Sequence, residues 1–264
     1  MILSLQTISN TIAFSYMENY IKLLEEERLA PVKNYLQQSG LNNTTLTQEE
    51  KSALEKFRNG EIEWREFRIF GNNNSDGIFN LNNTHSILQE WIVPNSGKIP
   101  YVTAGETNNS IWSYIDCQSD WLETGNSIMI GGKTLVITYQ EQDFVSNDSH
   151  NLALYIKDEN CQNELCQLFI VSALYKSLKP KYSWGNSISK KKIMNDSISL
   201  PVTSSGIDFA FMEHFIKAIE KNAVRGIGDM LNQDIKNGKS KLYDNSTPDY
   251  YIAAEPEVKL KKSI

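Results

Sequence analysis

The sequence predicts an α+β protein: one mixed, β-rich central domain flanked by two long helices. Three observations predict it. Apolar residues recur at three- and four-residue steps near both ends, the spacing of amphipathic helices. Between them lie short β-branched and aromatic runs broken by Gly, Asn and Asp, the pattern of strands and turns. And the two helical ends are copies of one another. "LSLQTISNTIAFSYMENYIK" (Leu3 to Lys22) lies over "ISLPVTSSGIDFAFMEHFIK" (Ile198 to Lys217) without a gap. Identical pairs include Leu5/Leu200, Ile12/Ile207, Phe14/Phe209, Met17/Met212, Glu18/Glu213 and Ile21/Ile216. Matches this dense in stretches of mixed composition mark a real duplication.

The expected divisions are a first helix over residues 1–45, a central domain over 46–205, and a second helix plus tail over 206–264. In the first helix Phe14, Met17, Ile21 and Leu24 form one apolar seam, with "LEEER" beyond it and Pro31 kinking or ending it. A short helix follows from Gln48 to Arg58, opened by Thr47 as cap and closed by Gly60. "IEWREFRIF" alternates like a strand, whereas "GNNNSDG" and "NLNNTHS" read as polar loops. Further strand-like runs are "KIPYVTA", "NSIWSYI", "NSIMIGG", "TLVITYQ" and "NLALYIK", and "ELCQLFIVSALYKSL" is a buried helix. Gly206 breaks the chain and Asp208 caps the last helix, whose seam is Phe209, Met212, Ile216 and Ile219, weakened later by Gly226 and Gly228. Two equivalent seams are what a pseudo-symmetric helix pair requires, although each also suits packing onto its own domain.

With 264 residues, 40% hydrophobic and 22% charged, the chain can bury a sizeable core and is not disordered. No apolar run reaches the roughly 20 residues that span a bilayer, and the N-terminus lacks the basic segment of a signal peptide. Cys117, Cys161 and Cys166 have no metal-ligand spacing and leave an odd thiol, which suits a reducing, cytoplasmic setting better than a disulfide framework. A net charge of −6 argues against coating nucleic acid through total charge. It leaves room for one basic face.

That face is "LKPKYSWGNSISKKK". Lys176, Lys179, Lys181, Lys190, Lys191 and Lys192 gather with no carboxylate among them, around Tyr182 and Trp184. The triple lysine also reads as a solvated turn, and the two aromatics as core. Catalytic constellations are not visible: His85, His150 and His214 stand apart, and no Gly-rich phosphate loop or acidic nuclease set is apparent. The chain is expected not to be an enzyme and to hold no metal or cofactor.

"GKIPYVTAGETNNSI", "KPKYSWGNSISKKKI", and "ISLPV" followed by "IDFAFMEHFIKAIE" resemble the DNA specificity subunits of type I and related restriction–modification systems. "WREFRIF" is similar to the way their target recognition domains begin, and the resemblance runs from Phe14 to about Asp234. It implies a non-catalytic subunit that reads one half of a bipartite duplex DNA site. Its two long helices would form a coiled-coil spacer and dock methyltransferase and restriction subunits, with S-adenosylmethionine, ATP and Mg only on those partners. This chain departs from the family layout in having a single recognition domain, so a homodimer or a second specificity half would complete it. Under that resemblance the candidates for DNA contact are the six lysines, Tyr182, Trp184, Asn186 and Ser189, and Thr107, Asn108 and Asn109, of which Asn108 and Asn109 suit shaping their loop as well as contacting bases. The polar stretch Asn72 to Asn74 is a further candidate. An alternative is a half-subunit that modulates assembly of such a complex without reading DNA.

Overall fold

The computed structural model describes residues 7–8, 11–12, 14–71 and 77–237. It divides into two compact units, Thr45–Ala223 and the flanking segments.

The flanking segments open with a two-stranded hairpin, β1 (Thr7–Ile8) and β2 (Thr11–Ile12), followed by α1 (Phe14–Gln38). Pro31 lies inside α1 and does not end it. A proline whose fixed φ already suits the helix removes one hydrogen bond without reversing the chain. Leu36 and Leu41 are buried in a small cluster with Leu29 and Val224, so α1 meets the last helix of the chain there. The expected seam is elsewhere: Phe14 is 64% exposed and Ile21 52%, Leu24 is exposed, and Met17 is half-buried.

The larger unit begins with α2 (Gln48–Asn59). Its ends follow local rules: Thr47 and Glu50 form a reciprocal capping box, and Gly60 takes the left-handed conformation that closes it. Next come β3 (Glu63–Arg68), β4 (Phe79–Asn83), β5 (Ile99–Val102), β6 (Ile111–Ile115), β7 (Leu122–Glu123) and β8 (Ser127–Ile130). They are followed by β9 (Ile137–Gln140), β10 (Phe144–Ser146), β11 (Leu152–Ile156), α3 (Glu164–Leu178) and the single turn α4 (Lys190–Ile193). The hairpin β12 (Ser197–Thr203) and β13 (Gly206–Ile207) leads into α5 (Phe209–Asn237). Gly226 therefore does not stop α5.

The sheets of this unit run β6-β5-β10-β7, β4-β11-β8-β9 and β13-β12-β3. β10 lies parallel to β5 and the other pairs are antiparallel, so the domain is mixed and β-rich as expected. The main core lies between the β4-β11-β8-β9 sheet, α3, β12 and the first turns of α5. Phe79, Ile128, Ile130, Leu152, Leu154, Ile170 and Leu174 are fully enclosed in it. β4 falls where a polar loop was expected. Phe79 and Leu81 face inward while Asn80 and Asn82 face out, a half-buried strand written in asparagines.

Further expectations change. The second apolar seam does not stand free. Met212 is fully buried, and Phe209 and Ile216 pack against the same core, beside a cluster of Phe57, Phe169, Phe211 and Phe215; only Ile219 stays exposed. An amphipathic pattern shows which face is apolar, not what covers it. For the same reason this unit runs to Ala223, beyond residue 205. The cysteines are not all free: Cys161 and Cys166 form a disulfide, and Cys117 stands alone. Cys161 ends a short turn and Cys166 lies in the first turn of α3, so their Cα atoms are 5.3 Å apart, within bridging range.

The duplication extends to the backbone. In the first hairpin Thr7 pairs with Ile12 and Ile8 with Thr11. Under the gapless alignment these correspond to Val202 with Ile207 and Thr203 with Gly206, the pairs found in the second. The helices then start at the equivalent Phe14 and Phe209. β12 carries a further strand, β3, on its other edge.

Candidate nucleic-acid interface

The lysine segment is a run of short, tightly bonded turns. Asn163 caps α3, accepting a hydrogen bond from the Cys166 N–H, and the helix presents Lys176 before ending at Lys179. Pro180 follows, and Tyr175, Lys176, Lys179 and Pro180 line a shallow depression there. Ser183 and Asn186 then close a narrow turn through mutual backbone hydrogen bonds of 3.2 and 2.9 Å. Ser189 caps α4, on which Lys190, Lys191 and Lys192 follow one another.

Each cation has a different setting. Lys176 lies 6.0 Å from the Trp64 ring, Lys190 5.3 Å from Phe70 and Lys192 6.0 Å from Tyr182. Rings at this range attract ammonium without neutralising it. Lys181 is the exception, since its Nζ is 2.7 Å from the buried Asp196 carboxylate. Tyr182 donates to the other oxygen of Asp196 at 2.5 Å. Burial first, then that hydrogen bond and the carboxylate's charge, hold the Tyr182 phenol far above its usual range. Lys192 is also tied inward, donating to Asn186 Oδ1 and the Ser187 carbonyl at 2.8 and 2.6 Å. Asn186 returns a bond to the Lys181 carbonyl. Lys179 and Lys191 are exposed and, with Lys176, Lys190 and Lys192, form no ion pair among the described residues. Trp184 is 81% exposed at the tip.

The second candidate segment, Thr107 to Asn109, sits in an unusual loop. Asn108, Asn109 and Ser110 all have positive φ, at 50, 51 and 65°. Asn tolerates this better than most residues, and the side chains stabilise it. Asn108 donates to the Ile111 carbonyl and Asn109 to the Tyr139 carbonyl, each at 2.9 Å, while Gln140 donates back to the Asn109 carbonyl. Their amide nitrogens thus shape the loop. Thr107 is exposed.

A turn that sequence reasoning passed over bridges the two segments. The β8–β9 connection runs Gly131 to Val136. On one side the Gly132 carbonyl accepts the Ile188 N–H at 3.0 Å, fixing the lysine segment. On the other, Thr134 donates to the Ala104 carbonyl at 3.0 Å, fixing the base of the Thr107 loop. The turn also presents Lys133, paired with Asp148, to which His150 adds two further contacts. Burial raises the Asp148 carboxyl, but the bonds from His150 and Lys133 outweigh it and hold that group below its ordinary value. Trp64, Phe70, Asp196 and this turn are the site residues that sequence reasoning missed. The Gly-Gly pair inside "IGGKT" was the available signal for the turn. Asn72 to Asn74 and the tail lie outside the described residues. Among the described residues no three His, Cys, Asp or Glu side chains gather as metal ligands, and no helix is long and apolar enough to cross a membrane.

Comparison with known proteins adds three findings. A family model described as the type I restriction modification DNA specificity domain matches residues 61–227. No curated protein matches. Among solved structures, a type I restriction–modification S subunit from M. genitalium aligns at TM-score 0.46 and 16% identity, over 83% of this chain and 55% of that one. A chain from a structure titled for complex assembly and conformational transition of the type I system gives 0.46 and 14%, over 84% and 55%. The HsdS subunit from Thermoanaerobacter tengcongensis gives 0.41 and 14%, over 85% and 52%. The chain thus spans about half the length of each.

Proposed function

We propose a function from one premise: this chain belongs to the type I restriction modification DNA specificity family. It is a non-catalytic DNA-recognition subunit that reads one half of a bipartite duplex site. A homodimeric partner or second specificity half supplies the other half-site. The paired helices dock methyltransferase and restriction subunits, and S-adenosylmethionine, ATP and Mg act on those partners.

The observation that carries the reading is the set of ammonium groups at Lys176, Lys179, Lys190 and Lys191 that form no ion pair among the described residues, on a chain of net charge −6. Such groups neutralise backbone phosphates and release counterions, which supplies the sequence-blind part of DNA affinity. The acidic remainder of the molecule opposes indiscriminate binding. Base contacts require donors and acceptors free to reach a groove. The amides of Asn108, Asn109 and Asn186 are engaged with backbone, so these residues present loops, and Thr107 and Ser189 have hydroxyls in the same segments.

A gel-shift titration on a randomised duplex library tests this. The full chain enriches a sequence, and Lys190→Glu with Lys191→Glu removes most of the affinity. Absence of any enriched sequence with a partner present rejects the reading. The exposure of Phe14 and Ile21 on α1 favours a second reading, an assembly modulator that engages protein alone. Under that reading the double substitution changes neither DNA binding nor complex formation.

A further inference from the structure

We propose that Trp184 is a base-stacking wedge, inserted against the bases of duplex DNA while neighbouring lysines hold its phosphates. This rests on the DNA-recognition reading and adds the mode of contact. Trp184 is the most exposed large apolar side chain among the described residues, at 81%. An indole left in water forgoes one of the largest burial gains any side chain offers, and a bound ligand restores it.

The tip that carries it is pinned. Besides the two backbone bonds joining Ser183 and Asn186, the Asn186 side chain donates to the Lys181 carbonyl at 2.8 Å. Lys192 clamps Asn186 and Ser187 from the far side, and Tyr182 is anchored on Asp196. An aromatic projecting from a fixed base pays little ordering entropy when it binds. The adjacent Gly185 has open space about it, so no side chain stands beside the indole on that flank.

The charge around the tip selects the occupant. Lys179 and Lys191 are exposed cations without an ion-pair partner among the described residues, so the surroundings favour a polyanion over an apolar protein surface. Nucleic-acid bases are the flat apolar faces that a polyanion offers, and aromatic side chains stack on them irrespective of sequence. In a duplex, an apolar wedge enters at a base step and partly unstacks it.

The test uses the full chain, wild type and the variants W184A and W184F, with a labelled duplex of randomised sequence. A second duplex carries aminopurine, an adenine analogue whose emission rises on unstacking. Wild-type binding is expected to raise that emission. W184A should bind roughly tenfold or more weakly and lose the rise, while W184F keeps most of both. Because Trp184 makes no core contact, both variants should melt like wild type. W184A with wild-type affinity and an undiminished rise overturns the proposal and leaves DNA recognition standing. Loss of a protein partner by W184A at unchanged DNA affinity overturns it equally. Failure of the wild type to bind any duplex rejects the DNA reading itself, and this inference with it.

Discussion

Lys221 on α5 reaches Glu50 on α2, its Nζ lying 2.8 and 2.9 Å from the two carboxylate oxygens, with both side chains buried. Glu50 meanwhile accepts the Thr47 N–H and closes the capping box, and Lys221 also donates to the Thr45 carbonyl. One ion pair thus couples the entry of the central unit to its last helix. Lys221→Met leaves a buried carboxylate without its cation, which costs about 3–5 kcal/mol. Urea unfolding should show a correspondingly lower midpoint, and an unchanged midpoint would contradict the pairing.

Gly132 is the tightest point of the bridging turn. A Cβ there would lie 2.1 Å from the His150 carbonyl oxygen and 2.8 Å from its carbon, and backbone cannot rotate away. Gly132→Ala should destabilise the domain by about 1–3 kcal/mol, the usual cost of overpacking. Because the Gly132 carbonyl holds Ile188, it should also weaken DNA binding more than a surface alanine substitution of equal stability cost.

Among the described residues four phenols are raised above their ordinary value of 10.0: Tyr101, Tyr139, Tyr155 and Tyr182, burial being the first cause for each. Tyr155 is pushed up to about 12. A raised folded-state pKa means that the native state keeps its proton longer than the unfolded chain. The stability they contribute is therefore complete below pH 10 and is lost as pH climbs through the folded values. Denaturation curves should be flat with respect to these groups up to pH 10 and fall beyond it, and Tyr155→Phe should make that fall shallower.

Asp196 is buried and takes bonds from Lys181 and Tyr182. Tyr182→Phe removes one donor from a charged acceptor, a loss of about 1.5–3 kcal/mol. It should also loosen the tip that carries Trp184, visible as faster hydrogen exchange at Ser183 and Asn186.

The disulfide makes a chemical prediction. Alkylation of the unfolded chain without reductant should modify Cys117 and spare Cys161 and Cys166, and reduction should expose all three. Labelling of all three before reduction would contradict the bridge.

What was legible in the sequence was whatever local chemistry decides. Thr47, Glu50 and Gly60 specify the ends of α2 within a few residues of chain, and the structure follows them. The valine- and isoleucine-rich strands were legible for the same reason. β4 was not, because Asn80, Asn82 and Asn83 carry turn preference and only pairing with β11 overrides it. Nor was the burial of Met212 on its own domain, in a core to which Phe79, Phe169 and Ile170 come from distant parts of the chain. At the candidate site the clustering of lysines could be read directly. Which of them are neutralised could not, because Asp196 meets Lys181 only once the segment has folded back on itself.

The matching hairpins have an engineering consequence. Both copies share one register and hand over to a helix at the same residue, so the two hairpins offer equivalent backbone joints on either side of the central stretch. A foreign segment spliced at those joints would leave the phase of the following helix untouched.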